Sequence, residues 1–225
     1  MIEYRPGEDR FVTRAEGRTT WHSFSFGAHY DPANVGFARL VAHNDEQLAA
    51  CTGYPDHPHA DLEIVSWVLS GTLRHTSTVG SGVVGPGEVQ RLSAGRGVVH
   101  SEVADGPDGT RFLQAWVRPD ESGLAPGYVA APAPLGEGWT CVAGGDGAGV
   151  VPIAASGTAL HVADLATGRR LDLPDAGELH VFVARGRAML GERLLETDDA
   201  ARLVDEGGRT LTAETDSHLV VWSFL

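Results

Sequence analysis

No lysine occurs in the 225 residues; all 17 basic side chains are arginine. That absence excludes mechanisms built on a lysine Schiff base, pyridoxal phosphate chemistry among them, and any phosphate loop that relies on a lysine. Positive charge is scarce as well. Thirty carboxylates leave the chain at −13, and protonating all ten histidines would still leave it negative. Without a basic footprint, direct binding of nucleic acid or of an anionic membrane surface is not expected. Cysteine is limited to Cys51 and Cys141. Two cysteines cannot make a secreted disulfide framework, and they lack the paired spacing of a zinc or redox motif, so both are expected as buried thiols. No apolar run approaches the ~18 residues of a membrane span, and the start, Met-Ile-Glu-Tyr-Arg-Pro-Gly-Glu-Asp, has no apolar signal core. A cytoplasmic location is the expectation.

Turn formers, by contrast, are plentiful, with 29 glycines and 12 prolines. They separate short apolar runs, few of which keep a helical period long enough to matter, so the chain reads as all-β. Strands are expected at Trp21 to Phe26, Phe37 to Ala42, Glu63 to Leu69, Val98 to Val103, Arg111 to Val117, Leu160 to Leu165, His180 to Ala184 and Leu219 to Phe224. Their spacing suits sandwiches or barrels. One short helix is expected at Asp45 to Ala50, where Asn44 can cap and Gln47 stands three residues on.

The breaker-rich stretch around Ala130-Ala-Pro-Ala-Pro-Leu-Gly-Glu-Gly marks a domain boundary. The expected division is a first domain over 1–130, a Gly/Pro-rich linker over 131–148 and a second domain over 149–225. A faint repeat supports a duplication: an offset of 115 lays Glu63, Ile64, Trp67, Val68 and Gly71 on Glu178, Leu179, Phe182, Val183 and Gly186.

The chemistry concentrates in His57-Pro58-His59 and His100-Ser101-Glu102. Residues at i and i+2 of a strand share a face, so each triplet sets two ligand-capable side chains side by side and four ligands can converge. Following the odd phase from His57 through Asp61 and Glu63 to Trp67 puts Glu63 on the same, interior face. Imidazoles opening into a barrel are costly to desolvate unless a cation binds them. Three neutral imidazoles and a carboxylate suit iron, manganese, nickel, copper or zinc, and do not suit magnesium or calcium. An open coordination position would make the ion a reactive centre, and a closed tetrahedron would make it structural. His75, after the Gly71 turn, is expected as a packed or solvent-facing residue outside the ligand set. His22, His29 and His43 are expected in structural roles. In the second repeat Asp172 and Pro174 stand at the positions of His57 and His59, so no metal is expected there.

The block from Gly53 to Gly71, with His57-Pro-His-Ala-Asp-Leu-Glu at its centre, resembles the first cupin motif in its pirin form. The block Gly87-Glu-Val-Gln-Arg-Leu-Ser-Ala-Gly-Arg-Gly-Val-Val-His-Ser-Glu102 resembles the second. Trp21-His-Ser-Phe-Ser-Phe-Gly and Phe37-Ala-Arg-Leu-Val-Ala-His-Asn-Asp are also similar to the amino-terminal part of pirins. The resemblance covers residues 1 to 120 strongly and fades beyond Leu135. It implies two cupin barrels, each a double-stranded β-helix or jelly roll. It also implies one divalent transition metal, Fe2+ foremost and Mn, Ni, Cu or Zn as alternatives, held in the first barrel by His57, His59, His100 and Glu102. Ordinary cupins use the motif-one glutamate, here Glu63; the pirin pattern makes Glu102 the carboxylate ligand and leaves Glu63 behind the ligands.

Some pirins resemble cupin flavonol 2,3-dioxygenases, which open quercetin-type rings with O2. That resemblance implies a flavonol substrate and Glu102 as the catalytic base. Other pirins resemble co-regulators that act through a protein partner, which implies a redox-sensing, metal-binding protein without turnover of its own. A metal-binding scaffold that has lost its activity is a third reading, and fold alone does not separate the three.

Overall fold

The computed structural model describes residues 1–225 as 22 strands and one short 3-10 turn, Gly7–Asp9, with no α-helix. No helix is therefore long and apolar enough to cross a membrane. The strands form four sheets, two of seven strands and two of four.

The first barrel pairs a seven-stranded sheet with a four-stranded one. The larger runs in the order Gly127–Pro132, Glu88–Ser93, Glu63–Ser70, Thr110–Val117, Leu40–Leu48, Arg18–His22 and Phe11–Ala15. The smaller runs Gly53–His59, Val98–Ala104, Leu73–Ser77 and Gly80–Val84. Leu48, Val68 and Phe112 from the larger sheet meet Leu73, Val84 and Ala104 from the smaller in one buried cluster, which closes one end of the interior.

The second barrel repeats the plan. Glu178–Arg185 lies between Ala200–Val204 and Ser217–Phe224 as Glu63–Ser70 lies between Glu88–Ser93 and Thr110–Val117. The 115-residue offset thus lays one central strand on the other. Its interior is a continuous apolar cluster that includes Leu179, Val181, Leu190, Leu203, Leu211 and Val221. A third cluster cements the barrels together, with Val65, Trp67, Leu113 and Val117 of the first against Phe182, Val220, Trp222 and Phe224 of the second.

The chain ends cross this plan. Ile2–Arg5 joins the second barrel's sheet, pairing Glu3 with Arg202 and Tyr4 with Ala201. Within the expected linker 131–148, Ala131 and Pro132 finish a strand on the first barrel and Thr140–Gly144 pairs with Thr158–Leu165 of the second. Each segment covers the edge of a sheet whose backbone groups would otherwise lack partners.

The helix expected at Asp45 to Ala50 is not formed; Asp45 to Leu48 finish the strand Leu40–Leu48, and Ala49 and Ala50 lead into a turn. Its polar residues are buried and bonded across the sheet: Asn44 to His22, Asp45 to Arg111 and Glu46 to Thr20. A single capping pattern cannot offset the cost of nucleating one isolated turn when such partners are at hand. Cys51 also departs from expectation. It is exposed in a turn at φ +59°, while Cys141 is half-buried.

Deleting residues 1–5 is expected to expose the Ala200–Val204 edge. Its amides should lose hydrogen-exchange protection while those of Glu63–Ser70 keep theirs. Equal loss in both strands would show that the amino-terminal strand supports the barrels jointly.

Candidate metal centre

The centre is built on two neighbouring strands of the four-stranded sheet. Gly53–His59 and Val98–Ala104 are antiparallel, with His57 opposite His100 and His59 opposite Val98. Gly53–His59 is an edge strand, so Pro55 and Pro58 remove no ladder bond from a central position. At the far end of the pairing, a side chain at Gly53 would overlap the Glu102 carbonyl oxygen, so glycine permits the close approach. The register slips between His100 and Glu102, a bulge of the kind that re-aims side chains beside functional sites.

This geometry brings His57, His59 and His100 together, with potential ligand atoms all within 4.8 Å of one another. Ring centroids lie 4.3 Å apart for His57 and His100, 4.9 Å for His57 and His59, and 5.0 Å for His59 and His100. His57 Nδ1 lies 2.8 Å from the Pro55 carbonyl oxygen, to which it can only donate. That bond fixes the neutral tautomer and leaves the Nε2 lone pair available for an ion. His100 is buried with no hydrogen-bond partner at either nitrogen. Burial depresses His59 to about 4, and it depresses His100 to about 3 with the neighbouring imidazoles adding to the effect. At neutral pH His59 and His100 are therefore unprotonated, and a cluster of three imidazoles can hold a transition-metal ion.

Glu102 is buried beside the imidazoles but does not lie within 4.8 Å of all three; it groups instead with His100 and His75. Its carboxylate accepts hydrogen bonds from Gln90 Nε2 at 2.9 Å and Gln114 Nε2 at 2.8 Å. Burial nevertheless raises it to about 7, outweighing both donors. His75, on the Leu73–Ser77 strand, pairs with Glu102 of Val98–Ala104, and of its two expected settings it takes the packed one, buried rather than solvent-facing. It stacks on Tyr128 with centroids 4.3 Å apart, and neither of its nitrogens has a partner. The available signal was the alternation of Leu73 and His75 with the exposed Arg74 and Thr76.

A cavity of about 250 Å³ opens onto the site. His57, His59, Glu102 and Gln114 line one side. Trp116 and Phe26 form an aromatic wall, edge to face at 4.9 Å, and Trp116 also meets His59 at 4.8 Å. Asn44, Glu46 and Tyr54 form a polar wall. Glu46 accepts from Thr20 Oγ1 and Tyr54 Oη, each at 2.6 Å, yet burial raises it to about 7. Reading this stretch as a helix concealed Glu46, which only a strand turns into the barrel.

Glu63 does not share the interior face. Asp61, at φ +53°, sits in the turn between strands of two different sheets, so the alternation does not carry through it. Glu63 accepts from Ser93 Oγ at 2.8 Å and faces Arg91 at 3.9 Å, on the side of its strand that carries Val65 and Trp67 into the inter-barrel cluster. Ser66, on the opposite face, is the residue that meets Gln90 and Gln114. Of the remaining histidines, His22 bonds Asn44 and Thr13, and His43 packs against His180 between the barrels. The turn contact between Asp105 N and the Thr72 carbonyl in the first barrel recurs as Glu214 N and the Arg187 carbonyl in the second, so the pairing of His75 with Glu102 becomes that of Leu190 with Leu211, and neither of those side chains offers a donor atom.

The pirin family model matches residues 7–117. A Mycobacterium tuberculosis protein named "Putative quercetin 2,3-dioxygenase" is 41% identical, the match covering 98% of this chain and 94% of that protein. The quercetin 2,3-dioxygenase of Escherichia coli K12 is 30% identical over 99% of this chain and 98% of its own. Among solved structures, the bacterial pirin YhhW of Escherichia coli in complex with nickel(II) superposes with a TM-score of 0.91 at 28% identity, covering 100% of this chain and 99% of that one.

The buried groups pull pH dependence in opposite directions. His43, His59, His75 and His100 are depressed to between about 3 and about 4 from 6.5, so the unfolded chain takes up protons there that the folded chain refuses. Their contribution is complete above pH 6.5 and is lost as pH falls. Glu46 and Glu102, raised from 4.5 to about 7, act the other way between pH 4.5 and 7. Four histidines outnumber two carboxyls, so thermal denaturation of chelator-treated protein should show Tm falling from pH 6.5 to 4.5. Glu102→Gln, which removes one opposing group, should steepen the fall. A flat or rising Tm would contradict these shifts.

Proposed function

Because the chain belongs to the pirin family, we propose that it is a metal-dependent flavonol 2,3-dioxygenase that opens a quercetin-type ring with O2. The observation that carries this reading is a cluster of three imidazoles, two of which line a cavity with an aromatic wall beside a carboxyl that burial raises to about 7. His57, His59, His100 and Glu102 are the proposed ligands. Such a donor set suits Fe2+, Ni, Mn, Cu or Zn alike, Fe2+ being the ion the pirin resemblance favours, and the nickel held by the Escherichia coli pirin supports an ion of this class. The metal supplies an electrophilic centre able to bring an electron-rich enolate and dioxygen together.

The chain's own groups supply the rest. Glu102 accepts the proton of the flavonol 3-hydroxyl, and Gln90 and Gln114 hold its carboxylate for that task. Phe26 and Trp116 take the planar ring against the apolar wall, and Glu46 and Tyr54 receive the peripheral hydroxyls. At about 250 Å³ the cavity lies just below the ~300 Å³ lower end of common ligand sites, so one small aromatic molecule fills it. Both oxygen atoms of O2 enter the products and carbon monoxide leaves, so no external reductant is needed.

The test is aerobic quercetin consumption, with carbon monoxide release, by protein loaded in turn with iron, nickel, manganese and copper. Turnover with at least one metal is expected. Glu102→Gln should keep most of its metal and lose ~10²- to 10⁴-fold in kcat, the usual worth of a positioned base. Glu63→Gln, remote from the cavity, should match the parent in both metal content and turnover. No turnover by any fully loaded form would refute the oxygenase and leave the protein-partner reading in its place.

A further inference from the structure

We propose that the seam between the two barrels is a binding site for one small monovalent anion of halide size. A second cavity, of about 30 Å³, lies there, remote from the metal-ligand cluster, and Arg5, Arg10, Arg202 and His180 line it. Its residues come from every part of the fold that meets at the seam. Arg5 ends the amino-terminal strand that crosses to the second barrel, Arg10 follows the 3-10 turn, Ser23 and Asn34 belong to the first barrel, and His180 and Arg202 stand on adjacent strands of the second.

The seam is short of acceptors. Arg5 Nε, Arg10 Nε and Nη1, Arg202 Nε and both nitrogens of His180 are buried without a hydrogen-bond partner. The outward nitrogens of these guanidiniums are already engaged: Arg10 Nη2 donates to the Trp21 carbonyl at 2.7 Å, and Arg202 Nη2 to Asn34 Oδ1 at 2.7 Å. The nearby carboxylates are committed too. Glu3 pairs with Arg5 at 2.6 Å and stands 3.6 Å from Arg202 Nη1, Asp45 is bound by Arg111 and lies 3.9 Å from Arg10 Nη1, and Asp198, which lines the cavity, is bound by Arg111. Asp9, the other acid on the rim, is exposed. Guanidinium nitrogens can only donate, and at most one nitrogen of a neutral imidazole can accept.

A water molecule would accept from two of these donors and would bring two hydrogens of its own into a site almost without acceptors. An anion accepts from all of them and offsets desolvated positive charge. Burial lowers Arg202 to about 10, with Arg5 adding to the effect, which marks the seam as cationic and poorly solvated. At about 30 Å³ the cavity takes one or two water-sized spheres, a space that suits a single halide.

Metal-loaded protein dialysed into sodium gluconate would be titrated with sodium bromide at constant ionic strength. Tm should rise saturably by about 2 to 4 °C, the shift that a modest ligand contributes in a chain of this size. Arg202→Met and Arg10→Met should each abolish the rise while keeping their bound metal. Crystals of the parent grown in bromide decide the matter even if both variants fail to fold: one anomalous peak among Arg10, Arg202 and His180 is expected. A water there without anomalous signal, or a Tm response in which sulfate equals bromide, would overturn the site.

Discussion

Desolvation of imidazole is the constraint on which the first barrel depends. His59, His75 and His100 are held unprotonated by burial, and His75 and His100 keep nitrogens that no protein group satisfies. A folded chain tolerates such groups when a ligand completes them, and a divalent cation does so at every nitrogen it meets. The surrounding residues are arranged around that need. The Pro55 carbonyl sets the His57 tautomer, the bulge turns His100 and Glu102 inward, and the two glutamines hold the carboxylate without neutralising it.

The second barrel is what the same topology becomes once that constraint is removed. Leucines stand where His75 and Glu102 do in the first barrel, and the interior closes as an ordinary apolar core. Its part is mechanical. It gives the first barrel a large hydrophobic face to pack on, accepts the amino-terminal strand, and leaves the first barrel free to keep a polar interior that contributes little to stability.

What could be read from the amino-acid order follows from how local each feature is. The triplets His57-Pro58-His59 and His100-Ser101-Glu102 were legible because two-residue periodicity is a local property of a strand, and the central strands were legible from their apolar runs. Glu63 was assigned to the wrong face because phase was extended across a turn whose backbone, at Asp61, reverses it. Glu46 was overlooked, and the choice between a packed and a solvent-facing His75 stayed open, for a related reason: their burial is decided by strands distant in sequence. The donors that hold Glu46 in the Leu40–Leu48 strand, and the Tyr128 ring that covers His75, are nowhere near them in the chain. Cys51 defied its usual preference for burial because the turn at φ +59° turns it to solvent. The crossing of Ile2–Arg5 into the second barrel left no local trace at all.

The central claim is that one mononuclear centre of three imidazoles and a carboxylate occupies the first barrel and nothing equivalent occupies the second. Metal-edge X-ray absorption of the nickel-loaded chain tests it most directly. The account predicts one equivalent of metal, with about three imidazole nitrogens and an oxygen at ~2.0 to 2.2 Å, the usual range for such donors, and loss of one imidazole's scattering in His59→Ala. An oxygen-only shell, or a second equivalent bound with the same signature, would contradict it.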